Sequence, residues 1–276
     1  MTFVLTGFAD EISPDLDEQL ATLAAESIGH LELRSVWSAN VADLDDGQVA
    51  RVRARLAGAG VRVSAIGSPI GKIDVTAPIG PELDRMRRVA DVAGALGVTI
   101  VRVFSFFMPA GQPPERYREP VIQRMAALAG IAAERGLVLA HENEKLIYGD
   151  TPGRCADLIE TVGSPALRDT FDAANFVQCG VRPHTEGYPL LRPHLVYLQV
   201  KDALAATGEV VPAGQGDGEV RETLTALRDS GFDGYASLEP HLAEAGTFGG
   251  FSGAGEFRRA AQALKTLLAE LSIPWT

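Results

Sequence analysis

Short β-branched or apolar runs recur along the chain, each followed by an amphipathic helical pattern, at the period of about 30 residues that a strand and its crossover helix require. Eight such runs can be counted, over residues 3–7, 30–34, 61–67, 99–104, 137–142, 168–172, 196–201 and 235–239. This repeat predicts parallel strands, each connected to the next through a helix.

The helical patterns cover residues 16–26, 46–57, 81–96, 116–135, 152–162, 220–230 and 256–271. Prolines at 183, 189 and 193 leave room for only a short sixth helix. The phosphate fingerprint G-x-G-x-x-G does not follow the first strand, which argues against an open doubly wound sheet. We therefore predict an α/β protein with a single-domain (β/α)₈ TIM barrel over residues 1–276.

Charge and cysteine content limit the partners that this chain can have. The formal net charge of −11 is spread along the sequence, so no basic patch favours nucleic acid or anionic lipid. Cys155 and Cys179 are the two cysteines, which is typical of free thiols in a reducing compartment. Without a signal-peptide pattern or a long apolar run, we expect a cytoplasmic protein that acts on a small molecule.

Three of the predicted strands end on a carboxylate, at Glu142, Asp172 and Glu239. The carboxyl ends of barrel strands meet at one mouth, where three carboxylates repel unless a cation lies between them. Oxygen ligands favour Mn²⁺ or Mg²⁺, with Co²⁺ or Zn²⁺ as alternatives. The competing interpretation is that each acid caps a helix or pairs with a neighbouring Arg or Lys.

The strand ends together carry a family resemblance that covers essentially the whole chain. The sequence resembles the xylose-isomerase-like TIM-barrel superfamily, which includes sugar phosphate isomerases and epimerases and relatives of the AP endonucleases (AP endonuclease family 2). Its most specific segments are Asp10-Glu11-Ile, Leu31-Glu32-Leu33-Arg34, Ser68-Pro-Ile-Gly-Lys72, His141-Glu142-Asn143-Glu144, Phe171-Asp172-Ala-Ala-Asn175-Phe, Gln199-Val-Lys201-Asp202 and Leu238-Glu239-Pro-His241.

The resemblance implies a metal held by Glu142, Asp172, Gln199 and Glu239. One ligand departs from the family, because this chain reads Gln199-Val-Lys-Asp where the family usually reads His-x-Lys-Asp. A glutamine oxygen is a weaker donor than imidazole, and the change removes the ligand that best suits zinc. Manganese or magnesium is favoured, and the alternative is a decayed metal site in a non-catalytic binding subunit.

A metal-dependent isomerase or epimerase acting on a sugar or sugar-like hydroxyketone is the predicted function. Glu142 and Glu239 are the predicted catalytic residues, one removing a proton from carbon to give an ene-diolate and the other returning it. The same intermediate can expel a β-substituent, which leaves a lyase or dehydratase on a keto-sugar or cyclic polyol as the alternative. An AP-endonuclease-like nuclease is disfavoured, since it needs zinc-binding histidines and a basic groove.

Further polar side chains near the strand ends are predicted to contact the substrate: Arg34, Lys72, Glu144, Asn175, Lys201 and His241. Lys201 and His241 share the strand face of Gln199 and Glu239. Arg34 and Lys72, with Arg102, can bind a phosphate or carboxylate, or instead pair with acids. Glu144 keeps the parity of Glu142, so the residues alone leave open which of the two binds metal.

Two glycine-rich segments are also candidates for function. Residues 212–218 follow strand 7, where many barrels bind phosphate, although such a loop can be merely flexible. Residues 246–255, with Phe248 and Phe251, are predicted to form a mobile loop that closes over the site or meets a partner subunit. The resemblance allows a homo-oligomer, as a dimer or tetramer.

Overall fold

The computed structural model describes residues 2–246 and 249–276, and an eight-stranded parallel sheet curves into a barrel within them. The strands are β1 (Val4–Gly7), β2 (His30–Leu33), β3 (Arg62–Gly67), β4 (Ile100–Val103), β5 (Val138–Glu142), β6 (Leu167–Asp172), β7 (Leu195–Val200) and β8 (Tyr235–Leu238). From β2 to β8 each strand pairs with the next strand along the chain, and β8 pairs with β1. A parallel bridge between Phe8 and Glu32 joins β1 to β2, which confirms the predicted TIM barrel.

Helices surround the barrel: α1 (Leu16–Ala25), α2 (Asp46–Ala59), α3 (Gly80–Leu96), α4 (Arg118–Glu134), α5 (Pro152–Val162), α6 (Ala173–Gln178), α7 (Tyr188–Leu191), α8 (Val220–Asp229) and α9 (Gly253–Glu270). Between β6 and β7 the chain forms α6, a π-helical turn (Pro183–Gly187) and α7, where we predicted one short helix. Among the described residues, no helix combines the length and apolar content needed to cross a bilayer.

The barrel interior is hydrogen-bonded rather than purely apolar. Thr6 Oγ1 lies 2.7 Å from Ser64 Oγ, which lies 2.9 Å from the Tyr197 hydroxyl. Ser237 Oγ donates to Glu32 Oε2 at 2.6 Å, and all five side chains are buried. These residues form a rigid polar floor beneath the carboxyl ends of the strands, because each buried polar group has a partner that compensates its lost hydration.

The glycine-rich segment after β8 contains regular structure. Within the segment that we predicted to be a mobile loop, Gly249–Phe251 pairs with Glu244–Gly246 as antiparallel strands. The predicted contribution of Phe248 lies outside the described residues.

Gly71, in the loop after β3, has a positive φ of 89°, and a Cβ there would lie 1.9 Å from the Phe104 carbonyl oxygen. We expect Gly71→Ala to lower the free energy of unfolding by about 2 kcal/mol or more, because the backbone must shift. Gly94 lies within α3, with no atom within 4 Å of its Cβ position. Gly94→Ala should raise the free energy of unfolding by about 0.5–1 kcal/mol. Urea denaturation of both variants checks this, and equal stabilities would contradict it.

Candidate active site

Three buried carboxylates converge at the mouth of the barrel. Glu142 and Asp172 are the last residues of β5 and β6, and Glu239 directly follows β8. One oxygen from each lies within 4.8 Å of the others, and each side chain is at most 3% exposed. The structure therefore brings together the three acids that the sequence placed at strand ends.

Two cationic side chains lie among these acids. Lys201 Nζ is 2.5 Å from Glu239 Oε2 and 3.0 Å from Asp172 Oδ2. Arg102 Nη1 is 3.1 Å from Glu142 Oε2 and 3.6 Å from Glu239 Oε1. Because the protein supplies these positive charges itself, mutual repulsion of the carboxylates does not by itself require a metal.

Arg34 and His241 complete the surroundings of Glu239. Arg34 Nη1 lies 3.2 Å from Glu239 Oε1, while its Nε donates to Asp10 Oδ2 at 2.8 Å. His241 Nε2 lies 3.4 Å from the same Glu239 oxygen. Arg34 is thus engaged with acids, the alternative that the sequence left open, and His241 is directed at the carboxylate predicted to be catalytic.

The acids differ in protonation because their surroundings differ. Burial raises the pKa of Glu142 to about 8, although Arg102 opposes the shift. Burial likewise raises the pKa of Asp172 to about 6 against the charge of Lys201. Burial also disfavours the charged form of Glu239, but Lys201, His241 and Arg102 outweigh it and hold that pKa well below its usual value. A bound cation would favour the ionised form of all three acids.

Asn175 and Asn143 fix the orientation of the acids. Asn175 Nδ2 donates to Glu142 Oε1 at 3.1 Å, and the Asn175 amide donates to Asp172 Oδ1 at 2.8 Å. Asn143 pairs with the backbone of Asp172 in both directions, at 2.9 Å each. Asn175, predicted to contact substrate, is therefore also a support for two of the three carboxylates.

Lys72 and Glu144 lie beside one another, with Lys72 Nζ 3.6 Å from Glu144 Oε2 and 4.3 Å from the centre of the Phe104 ring. Glu144 is 14% exposed, more than Glu142. Of the two glutamates, Glu142 is the one that the structure brings together with the other strand-end acids.

Gln199 lies beside Asp172 as its register partner on β7. Its Nε2 donates to both carboxylate oxygens of Glu32, at 3.0 and 3.2 Å. Its Oε1 is buried and accepts no hydrogen bond from any residue that the structure describes. Three converging carboxylates and a buried amide oxygen are a donor set that fits a hard divalent cation.

The glycines of residues 212–218 do not present their amides to a ligand. The amides of Gly214 and Gly216 donate to Asp202 Oδ2 at 3.0 and 2.9 Å, and that of Gly218 donates to Oδ1 at 2.8 Å. These three amides are therefore not available to a phosphate, because the Asp202 carboxylate takes the place of the anion.

Two residues, Arg102 and Glu11, make buried contacts that the sequence did not identify. Arg102 was expected either to bind a phosphate or carboxylate at the rim or to pair with acids, and the structure shows the pairing, since Arg102 is buried and bridges Glu142 and Glu239. Its position between two valines inside β4 is the signal that could have indicated an inward-facing charge. Glu11 was named only within the Asp10-Glu11-Ile segment of the family resemblance, yet it is fully buried and contacts the loop after β8.

A family profile described as xylose isomerase-like TIM barrel matches residues 19–267. The chain belongs to this family. A curated relative is the 2-epi-5-epi-valiolone 7-phosphate 2-epimerase of an Actinoplanes species, 34% identical over 185 residues. The match covers 67% of this chain and 66% of that protein, so the chain spans slightly less than two thirds of its relative.

Solved structures share the architecture of this xylose isomerase-like barrel. A D-tagatose 3-epimerase-like protein superposes with a TM-score of 0.80 at 15% identity and covers 98% of both chains. The IOLI protein with a bound zinc atom superposes with a TM-score of 0.79 at 14% identity, covering 98% of this chain and 99% of its own. At these identities the likeness establishes the fold alone.

Replacing Gln199 with histidine tests whether this position belongs to a metal site. Imidazole is a better ligand for zinc than an amide oxygen, so we expect Gln199→His to raise Zn²⁺ affinity on the order of tenfold. The wild type should prefer Mn²⁺ or Mg²⁺. Isothermal titration of both proteins with each metal checks this, and Gln199→Ala serves as the ligand-free control. Identical affinities in all three proteins would exclude Gln199 as a ligand.

Proposed function

We propose that this protein is a divalent-metal-dependent epimerase that inverts a carbon next to the carbonyl of a phosphorylated sugar or sugar-like hydroxyketone. The observation that carries the proposal is the convergence of Glu142 and Glu239, both next to Arg102, at the mouth of the barrel. Inversion needs two proton-transfer groups that reach the same carbon atom. One removes a proton from one face of that carbon, and the other returns a proton to the opposite face.

The curated relative supports both the reaction and the substrate class. It is named as a 2-epimerase of a 7-phosphate, and its identity of 34% extends over 67% of this chain. We propose a related phosphorylated cyclitol or sugar as the substrate here.

The proposed reaction consists of two proton transfers. One carboxylate removes the proton from the carbon next to the carbonyl, the electron pair of that C–H bond forms a C=C bond, and the π electrons of the C=O bond move onto the oxygen. The second carboxyl group, protonated beforehand, gives its proton to the opposite face of the same carbon as the C=O bond reforms. The first group then holds the proton and the second is ionised, so exchange with water restores the starting state.

Positive charges near these acids stabilise the ene-diolate. Lys201 and Arg102 are buried, where an ion interacts more strongly with developing negative charge than it does in water. A divalent cation held by Glu142, Asp172, Gln199 and Glu239 would further polarise the carbonyl group. Manganese or magnesium suits these oxygen donors.

The lyase alternative begins with the same proton removal but ends with loss of a β-substituent. In deuterium oxide an epimerase incorporates one deuteron from solvent and retains all substituents of the substrate. A lyase instead yields an unsaturated product and releases water or another leaving group. Mass spectrometry of the products separates these two reactions.

Glu142→Gln and Glu239→Gln should each lower kcat about 10²- to 10⁴-fold, because each removes one proton-transfer group while keeping its size. The assay is epimerisation of 2-epi-5-epi-valiolone 7-phosphate with Mn²⁺ in deuterium oxide, followed by NMR. Inversion should fall in both variants, whereas exchange at the reacting carbon of this substrate should be lost only in the variant that lacks the carboxylate that removes its proton.

Glu160→Gln is the matched control, since Glu160 is exposed on α5 and contacts His194. It should retain wild-type kcat. Wild-type activity in the Glu142 and Glu239 variants would refute their roles. If a panel of ketose phosphates and cyclitol phosphates shows no exchange with the wild type, the proposed function itself is wrong.

A further inference from the structure

Glu11 connects the first and last βα loops of the barrel. It lies in a 3-10 helix (Ala9–Glu11) directly after β1, and its side chain is fully buried. Its Oε2 accepts hydrogen bonds from the His241 amide and from Ser252 Oγ, both at 2.8 Å. The Ser252 amide also donates to the Glu11 carbonyl oxygen at 2.9 Å. One residue after β1 thus holds both ends of the segment that connects β8 to α9.

The other carboxylate oxygen of Glu11 faces the imidazole ring of His241. Glu11 Oε1 lies 3.2 Å from His241 Nε2, and that nitrogen lies 3.4 Å from Glu239 Oε1. His241 adopts a φ of 47°, which is uncommon for a residue with a side chain. The hydrogen bond from its amide to Glu11 compensates this conformation and directs the ring toward Glu239.

We propose that Glu11 is a positioning residue, which holds His241 against Glu239 and anchors the chain at His241 and at Ser252. His241 Nε2 faces both Glu11 Oε1 and Glu239 Oε1, and carboxylates next to this nitrogen favour the tautomer with hydrogen on it. The expected effect on turnover rests on the proposed function. The expected effect on the loop does not.

Glu11→Gln tests the positioning of the ring. The variant keeps an acceptor oxygen for the His241 amide and Ser252. The carboxylate oxygen that faces the imidazole ring is replaced by an NH₂ group, which can only donate. With 2-epi-5-epi-valiolone 7-phosphate and Mn²⁺ we expect kcat to fall about 10- to 100-fold with little change in KM. Glu26→Gln is the control, since Glu26 is a buried glutamate that pairs with Lys265. It should retain kcat.

A double variant shows whether Glu11 acts through His241. If it does, Glu11→Gln combined with His241→Gln should be no slower than His241→Gln alone. Losses that multiply, or wild-type kcat in Glu11→Gln, would overturn the inference.

Hydrogen–deuterium exchange of the full chain tests the loop without a substrate. Glu11→Ala should speed exchange of the His241, Leu242 and Ser252 amides, whereas Glu26→Ala should not. Unchanged exchange in Glu11→Ala refutes the inference even if the protein is an epimerase. Conversely, faster exchange in a protein without epimerase activity supports the role of Glu11 and refutes the proposed function.

If Glu11→Ala does not fold, the ring ¹⁵N signals of Glu11→Gln decide the question. The His241 signal, assigned by its loss in His241→Gln, should move while those of His184 and His194 stay in place. An unmoved His241 signal overturns the inference.

Discussion

The site depends on the positively charged and hydrogen-bonding groups that balance the negative charge of one buried carboxylate, Glu239. Glu239 is 3% exposed, and its oxygens lie within 3.6 Å of nitrogen atoms from Arg34, Arg102, Lys201 and His241. These partners come from the ends of four different strands, so the charge of Glu239 is stable only when the barrel is closed. Removing one partner from such a cluster would leave a buried charge without compensation, which costs several kcal/mol.

The same network separates the properties of the two acids proposed to move protons. Burial raises the pKa of Glu142 although Arg102 and Lys201 oppose the shift, whereas Lys201, His241 and Arg102 outweigh burial and hold the pKa of Glu239 low. Carboxylates whose surroundings push their pKa values apart are a common way for one site to contain an acid and a base. Glu32 connects the polar floor to this site, because it accepts hydrogen bonds both from Ser237 in the floor and from Gln199.

Much of the fold and part of the site could be predicted. The strand and helix period identified the barrel because each strand of a parallel sheet needs a crossover connection. The convergence of Glu142, Asp172 and Glu239 followed from it, because the carboxyl ends of the strands meet at one mouth. The partners of the Arg102 side chain and of the amides in residues 212–218 could not be predicted in this way. The anion that a guanidinium group or a backbone amide binds depends on distances between strands.

The sequence by itself therefore determined the architecture, the family and the acids at the mouth, since these follow from periodicity and from the last residue of each strand. Only the tertiary structure decided which charges compensate these acids. Lys201 lies between Asp172 and Glu239, and Glu11 binds the His241 amide across 230 residues of sequence. Contacts of this kind arise when the barrel closes and brings the first and last loops together, and no local pattern encodes them.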